Sequence, residues 1–247
     1  MLNESDLIQA SDAAMRLSGY SDQIWLHPVD DETQMVFRPL SKSEFAALWN
    51  GLNKGGAAAQ NARRMALSRA TLIPDLVQVN AICQRFPGLP QSALDPILRL
   101  CGAGDWTREP EWFYVDDAST ALLIEYVGAE AARDLVSKYP RKQQLAVVVL
   151  EDVALDVARK AYVLKTPVIE SLEMFERHKD ADDLYDAIVG FVTDAMAFPS
   201  EEKAIGTLFK HAPALPTTLR IVLQKMVRPA REAAGKGWRR SSARSPT

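Results

Sequence analysis

Chemistry in this chain would have to come from scattered groups. His27, His178 and His211 fall in separate segments, and none has a Cys, Asp or His at the spacing of zinc ligands. His178 and His211 lie near expected helix ends, where a cation offsets the helix dipole, and His27 would tip a strand. Asp180, Asp182, Asp183 and Asp186 are close enough in sequence to meet a divalent ion. They lack the glycine turn and final glutamate of a calcium loop, so they read as a solvated acidic cap. Gly55-Gly56 is not followed by Gly-Lys-Ser and follows no buried strand, which makes it a hinge or helix cap rather than a phosphate loop. Ser68-Arg69 and Thr217-Thr218 have no base or oxyanion framework beside them. Arg63, Arg64 and Arg69 form a positive patch whose stems can lie along an alanine-rich face. The sequence predicts no catalytic residue, no cofactor and no metal, and it points to binding or scaffolding.

The elements that would position a binding surface recur along the chain. Ile73-Pro74 opens an apolar-periodic stretch that reaches Phe86-Pro87-Gly88-Leu89-Pro90, and a second such stretch runs to Cys101. Phe198-Pro199 opens a related unit, with Ala212-Pro213-Ala214-Leu215-Pro216 as its turn and Met226 near its end. Val79, Ile82, Leu89 and Ile97 match Ile205, Leu208, Leu215 and Leu223 at one constant offset. Thr166-Pro167, followed by Leu172, Met174 and Phe175, reads as a weaker copy. Helical hairpins that recur in this way bury shared faces between neighbours and leave an outer surface for partners.

Ahead of these units the pattern is mixed. Asn3 to Leu17 is expected to form a helix closed near Gly19. Two strands, Ile24 to Val29 and Gln34 to Arg38, should flank the turn formers Asp30 to Thr33. Ser41 and Glu44 then have the spacing of a capping box for a helix carrying Phe45, Leu48, Trp49 and Leu52. Trp106 to Val115 reads as a boundary or crossing strand whose aromatics, Trp112 and Phe113 among them, either anchor another subunit or fill an internal groove. A long helix is expected from about Leu145 to Leu164, against the β-branched Val147-Val148-Val149. The predicted fold is mainly α, with stacked helical hairpins and a small N-terminal α+β element. Its divisions are 1–53 for that element, 54–105 for a helical hairpin module, 106–234 for a helical repeat region and 235–247 for a disordered basic tail.

Composition narrows the function classes. The 247 residues can bury a real core without disulfides, and Cys83 and Cys101 both fall on apolar helix positions as free thiols, in keeping with a reducing compartment. No apolar run approaches the length of a membrane span, and the expectation is a protein soluble inside a cell, with no membrane partner. The net charge is −3, but from Arg220 onward eight Lys or Arg stand against Glu232 alone. That end, with Arg239 and Arg240 near its centre, reads as a solvated basic tail or as a dock for an acidic protein. Nucleic acid is disfavoured because a phosphate-tracking patch would continue onto a folded face. The partner-binding candidates are Phe86, Leu89, Trp112, Phe113, Leu215, Arg239 and Arg240, and a homo-oligomer is left open.

Val36-Phe37-Arg38-Pro39-Leu40-Ser41-Lys42-Ser43-Glu44-Phe45 resembles the opening of the tail-assembly chaperones of tailed bacteriophages. The continuation from Thr71-Leu72-Ile73-Pro74 through Phe86-Pro87-Gly88-Leu89-Pro90 to Ile97-Leu98-Arg99-Leu100-Cys101-Gly102 looks like their helical hairpin ending in glycine. The resemblance implies a non-enzymatic phage protein of the host cytoplasm that binds the tape-measure or another tail protein during assembly. The chain departs from that pattern by repeating the hairpin and ending in a basic tail. A structural virion protein of the tail or baseplate, and a helical-repeat adaptor or regulator, are the alternative expectations.

Overall fold

The computed structural model describes residues 2–19, 21–103, 105–106, 109–152, 157–178 and 183–227. Helix α1 (Glu4–Ser18) starts at Asn3, whose side chain accepts from the Asp6 amide while the Asp6 carboxylate accepts from the Asn3 amide. Strands β1 (Trp25–Pro28) and β2 (Gln34–Phe37) form an antiparallel hairpin with Leu26 opposite Val36. Helix α2 (Lys42–Lys54) begins at the Ser41–Glu44 capping box. Gly55, at φ 69°, turns the chain into α3 (Gly56–Ala70), which packs closely back on α2. Strand β3 (Thr71–Ile73) returns to pair with β2, and Asp75 caps α4 (Leu76–Arg85). Helices α5 (Leu89–Ser92) and α6 (Leu94–Leu100) follow the first proline turn.

A linking region brings β4 (Asp105–Trp106), β5 (Glu111–Tyr114), α7 (Ser119–Val127) and α8 (Ala129–Lys138). The order then repeats. A hairpin of β6 (Gln144–Asp152) and β7 (Val157–Lys165) leads to α9 (Ile169–His178), α10 (Leu184–Ala195) and β8 (Met196–Phe198), which pairs with β7. Helix α11 (Glu202–His211), the second proline turn and α12 (Leu215–Val227) complete it. The registers match as well. Val36 opposes Ile73 and Phe37 opposes Thr71 across an irregular step, and Val163 opposes Phe198 and Leu164 opposes Met196 across the same step. The Ile73–Pro74 and Phe198–Pro199 peptides are both cis. The chain is a tandem duplication of one α+β unit, each copy built from a hairpin, two helices, a returning strand and a proline-turned helix pair.

This corrects the expected stack of helical hairpins. Helix is the larger part of the described chain, but two antiparallel sheets organise it, one ordered β1-β2-β3 and the other β4-β6-β7-β8 with β5 also on β6. The expected helix from Leu145 to Leu164 is the β6–β7 hairpin. Ala146, Val148, Leu150, Tyr162 and Leu164 enter the core under α9 to α12, while Leu145, Val147, Val149 and Val163 enter a second core with Leu123 of α7 and Leu135 of α8. Burial on both faces removes the polar alternation that marks a strand, and the β-branched valines suit the pleated surface better than a helix. Thr166-Pro167 is the entry to α9, the counterpart of the Pro39 entry to α2, and not a third proline hairpin. Pro74 does not open α4; it ends β3, and Asp75 caps the helix.

The copies meet along a buried seam. Tyr185 is 0% exposed, its amide donates to Asn50 Oδ1 at 3.0 Å, its hydroxyl donates to the Pro213 carbonyl at 2.7 Å, and its ring lies edge-on to Phe45. Burial pushes its phenol well above the ordinary tyrosine range. The Ala214 amide donates to the Cys101 carbonyl, and a side chain on Gly102, at φ 80°, would collide with Ala212. Removing the hydroxyl in Tyr185→Phe leaves the Pro213 carbonyl without its buried donor, and urea unfolding should show a loss of about 1–2 kcal/mol at unchanged slope.

The entry to α2 is held by charge. Arg38, 4% exposed, donates to both Glu44 oxygens at 3.0 and 2.9 Å, and Glu44 also accepts from the Ser41 amide. Burial pushes the Glu44 carboxyl up, but the Arg38 and Ser41 hydrogen bonds outweigh it and hold the group below its usual range. A depressed folded-state value stabilises the protein above the unfolded value and is lost as pH falls through the folded one. Glu44→Gln should therefore cost about 2–4 kcal/mol at pH 7. The gap from wild type should narrow on acidification below about pH 4.3, measured by denaturant unfolding across pH.

Candidate functional site

The first proline turn stands free at the surface. Phe86 caps the end of α4, its backbone amide donating to the Ile82 carbonyl, and the Leu89 amide closes the turn onto the Phe86 carbonyl. Pro87 and Gly88 are exposed, Phe86 is half-buried, and Leu89 is buried. Opposite them, the end of β1 supplies His27, Pro28 and Val29, and the two walls enclose an open groove of about 480 Å³. The His27 ring stacks on Phe37, and burial holds its pKa below the ordinary histidine range, so it is neutral at pH 7. Arg85 brings the groove's positive charge, its guanidinium 4.9 Å from the Phe86 ring centre and 3.5 Å from Asp30. Apolar walls with one cation at the rim accept an apolar side chain from an amphipathic segment, with an acid beside it.

The expected partner-binding residues divide. Phe86 and Leu89 share this groove. Leu215 occupies the position that matches Leu89, and both leucines are core residues, 2% and 5% exposed; what differs is the turn before them. The second turn is buried because Ala212, Pro213 and Ala214 form the seam with the first copy. Trp112 and Phe113 lie on β5, away from the groove. Trp112 is 38% exposed, and Phe113 packs toward the core under α7 and α8. Arg239 and Arg240 lie outside the described residues.

The sequence reading missed His27, Pro28, Val29 and Arg85 as walls of the groove. Their only signal is that a hairpin end and a proline turn meet, which is tertiary. The acids near the start of α10 also gain a setting, since Asp183, Asp186 and Asp194 border a groove of about 250 Å³ between α9 and α10. Among the described residues, no group of His, Cys, Asp and Glu could hold a metal ion, and no helix is long and apolar enough to cross a membrane. Of the two thiols, Cys101 is buried and Cys83 half-buried, with burial pushing the Cys83 thiol up.

Compared with known proteins, the chain matches no family model, no curated protein and no solved structure.

The division of roles between the matching leucine and the free aromatic is measurable. Leu215→Ala opens a core cavity and should cost about 2–5 kcal/mol in chemical denaturation. Phe86→Ala trims a half-exposed ring and should cost less than about 2 kcal/mol.

Proposed function

We propose that this chain is a non-enzymatic assembly chaperone for the tail of a tailed bacteriophage, acting in the host cytoplasm on the tape-measure or another tail protein. The observation that carries the proposal is how the resembling stretch, Val36 to Gly102, sits in the fold. It runs from the end of β2 through α6, the first copy of the duplicated unit without β1 and the start of β2. Its most characteristic phrase has a physical task there: Arg38 and Glu44 pair in the interior, Ser41 caps α2, and Leu40 is fully buried. The same stretch ends at Gly102, where the first copy meets the second.

In this reading the groove between Val29 and Phe86 is the working surface. A tape-measure protein is largely long helix with an apolar stripe, and such stripes associate with each other before assembly unless they are covered. A groove of this size takes one or two apolar anchors of a helix, and repeated weak engagement would keep the stripe soluble without locking it.

Co-expression with the tape-measure protein tests the reading. The partner should move to the soluble fraction and co-purify, and Val29→Asp with Phe86→Ser should abolish both effects while the melting temperature stays within a few degrees. A partner that remains insoluble, or is rescued equally by the groove variant, would overturn it. Recovery of the chain in purified mature tails would favour the structural virion protein instead.

A further inference from the structure

The duplication allows the same place to be compared in both copies, and the α2–α3 and α9–α10 helix pairs differ there in one telling way. In the first copy Glu44, Ala47 and Leu48 of α2 face Ala62, Met65, Ala66 and Arg69 of α3 around a void of about 20 Å³, no more than one water. In the second copy the corresponding positions, Ser171, Met174 and Phe175 of α9 and Ala187, Gly190, Phe191 and Asp194 of α10, line the 250 Å³ groove. The cause is readable from the residues. Gly51 lets α2 settle against Ala62, where an added Cβ would come within 2.5 Å of the Ala62 Cβ. Its counterpart is His178, which stands in the wall of the groove. Met65 lines the closed site, whereas its counterpart Gly190 would have nothing within 4 Å of a Cβ.

The opened groove has a defined chemistry. Its floor is the stacked pair Phe175 and Phe191, ring centres 4.9 Å apart, with Met174 57% exposed beside them. Its rim is acidic. Asp183 and Asp186 are exposed, and Asp194, which accepts from the Ser171 hydroxyl at 2.6 Å, stands where the first copy has Arg69. The complementary ligand is a basic segment with one large apolar side chain. Residues 228–247 have that composition, with Trp238 as their one aromatic beside Lys236, Arg239 and Arg240, and Glu232 as their one acid. They follow α12, which packs along α10, the helix that carries the groove's acids. Trp238 lies eleven residues beyond the end of α12, so an extended chain can carry it up to about 36 Å from that end.

We propose that the α9–α10 groove is the docking site of the chain's own basic C-terminal segment, with the Trp238 indole on Phe175, Phe191 and Met174 and with Arg239 and Arg240 against Asp186 and Asp194. The groove is a second surface, separate from the one between Val29 and Phe86, and this inference does not rest on the chaperone reading. Docking in cis covers an apolar site and neutralises acid against base, and an acceptor that outcompetes the segment would gain the site.

The full-length protein tests this by methionine-methyl NMR. An indole over Met174 displaces its methyl resonance by ring current, so Trp238→Ala should move the Met174 signal and leave that of Met35, buried in the first copy, in place. Arg239→Glu with Arg240→Glu should move Met174 the same way. The wild-type position should hold across a twentyfold dilution. A Met174 signal indifferent to Trp238→Ala, or one that shifts on dilution and so reports a second copy, overturns the proposal. Gly190→Leu supplies an independent arm, since it fills the groove where the structure has room for a side chain. Trypsin cuts after Lys236, Arg239 and Arg240 should become about tenfold faster in that variant, because cleavage tracks the population of the released segment. An unchanged rate in a variant that melts like wild type also overturns it.

Discussion

The structure depends on a backbone contact that only small residues allow. Where α6 ends, Gly102 lies flat against Ala212, the Cys101 carbonyl takes the Ala214 amide, and the Cys101 sulfur takes the Leu40 amide from across the first copy. Tyr185 closes the other side by reaching from α10 to Pro213 and presenting its amide to Asn50 of α2. These groups are buried, so each needs its partner, and a hydrogen bond at this seam is worth most because water cannot replace it. The seam therefore sets where the second copy sits, and in doing so it consumes the second proline turn. The first turn has no such neighbour, and its phenylalanine stays at the surface.

Duplication usually leaves two equivalent surfaces, and this chain has changed both members of each pair. At the proline turns the difference is burial: one turn is mortar and the other is free. At the helix pairs it is residue size. Ala59 and Ala66 of α3 correspond to the larger Leu184 and Phe191 of α10, while Leu67 corresponds to the smaller Val192. Close helix packing needs small residues at the contact, and an α2–α3 pair rich in alanine with Gly51 at the crossing satisfies that. The α9–α10 pair keeps the topology but not the close approach. The ion pair at the entry to α2 has gone as well, because Lys165 and Ser171 stand in for Arg38 and Glu44. The second copy thus gives up a buried charge pair and a tight crossing, and gains a groove.

Much of this was legible where the signal is local. Asn3, Ser41 and Glu44 announce helix starts because capping is a contact between residues three apart, and Gln34 to Phe37 announces a strand between turn formers. The recurring proline turns also showed, since Leu89 and Leu215, and Ile97 and Leu223, kept their spacing. The hairpins, the returning strands and the helix pairs of the two copies did not show as one repeat, because their equivalent residues are alanine in one copy and phenylalanine or leucine in the other. The β6–β7 hairpin was hidden for another reason. It is covered on both faces, and its valines read as an oily run with no period to separate strand from helix. For the candidate site, Phe86 was visible as an aromatic at a turn, while the two turns looked equivalent and are not, since burial of the second comes from a contact made more than 100 residues away in sequence.

The charged residues that line the two grooves differ in sign: Arg85, paired with Asp30, at the first, and Asp183, Asp186 and Asp194 at the second. The groove between Val29 and Phe86 takes its cation from Arg85 in the last turn of α4, where the helix dipole favours a positive side chain. The groove of the second copy takes Asp183 and Asp186 from the start of α10, where the dipole favours negative side chains, and Asp194 from its last turn, where the Ser171 hydroxyl donates to it instead. Helix direction favours the cation of one groove and two of the three acids of the other, and the hydrophobic floor beneath each calls for an apolar anchor beside the charge. A single ligand with one kind of charge would satisfy one groove and be repelled by the rim of the other. A basic segment held at the second groove leaves the first free for an acidic amphipathic one, so the same chain can keep both surfaces in use without their competing for one occupant.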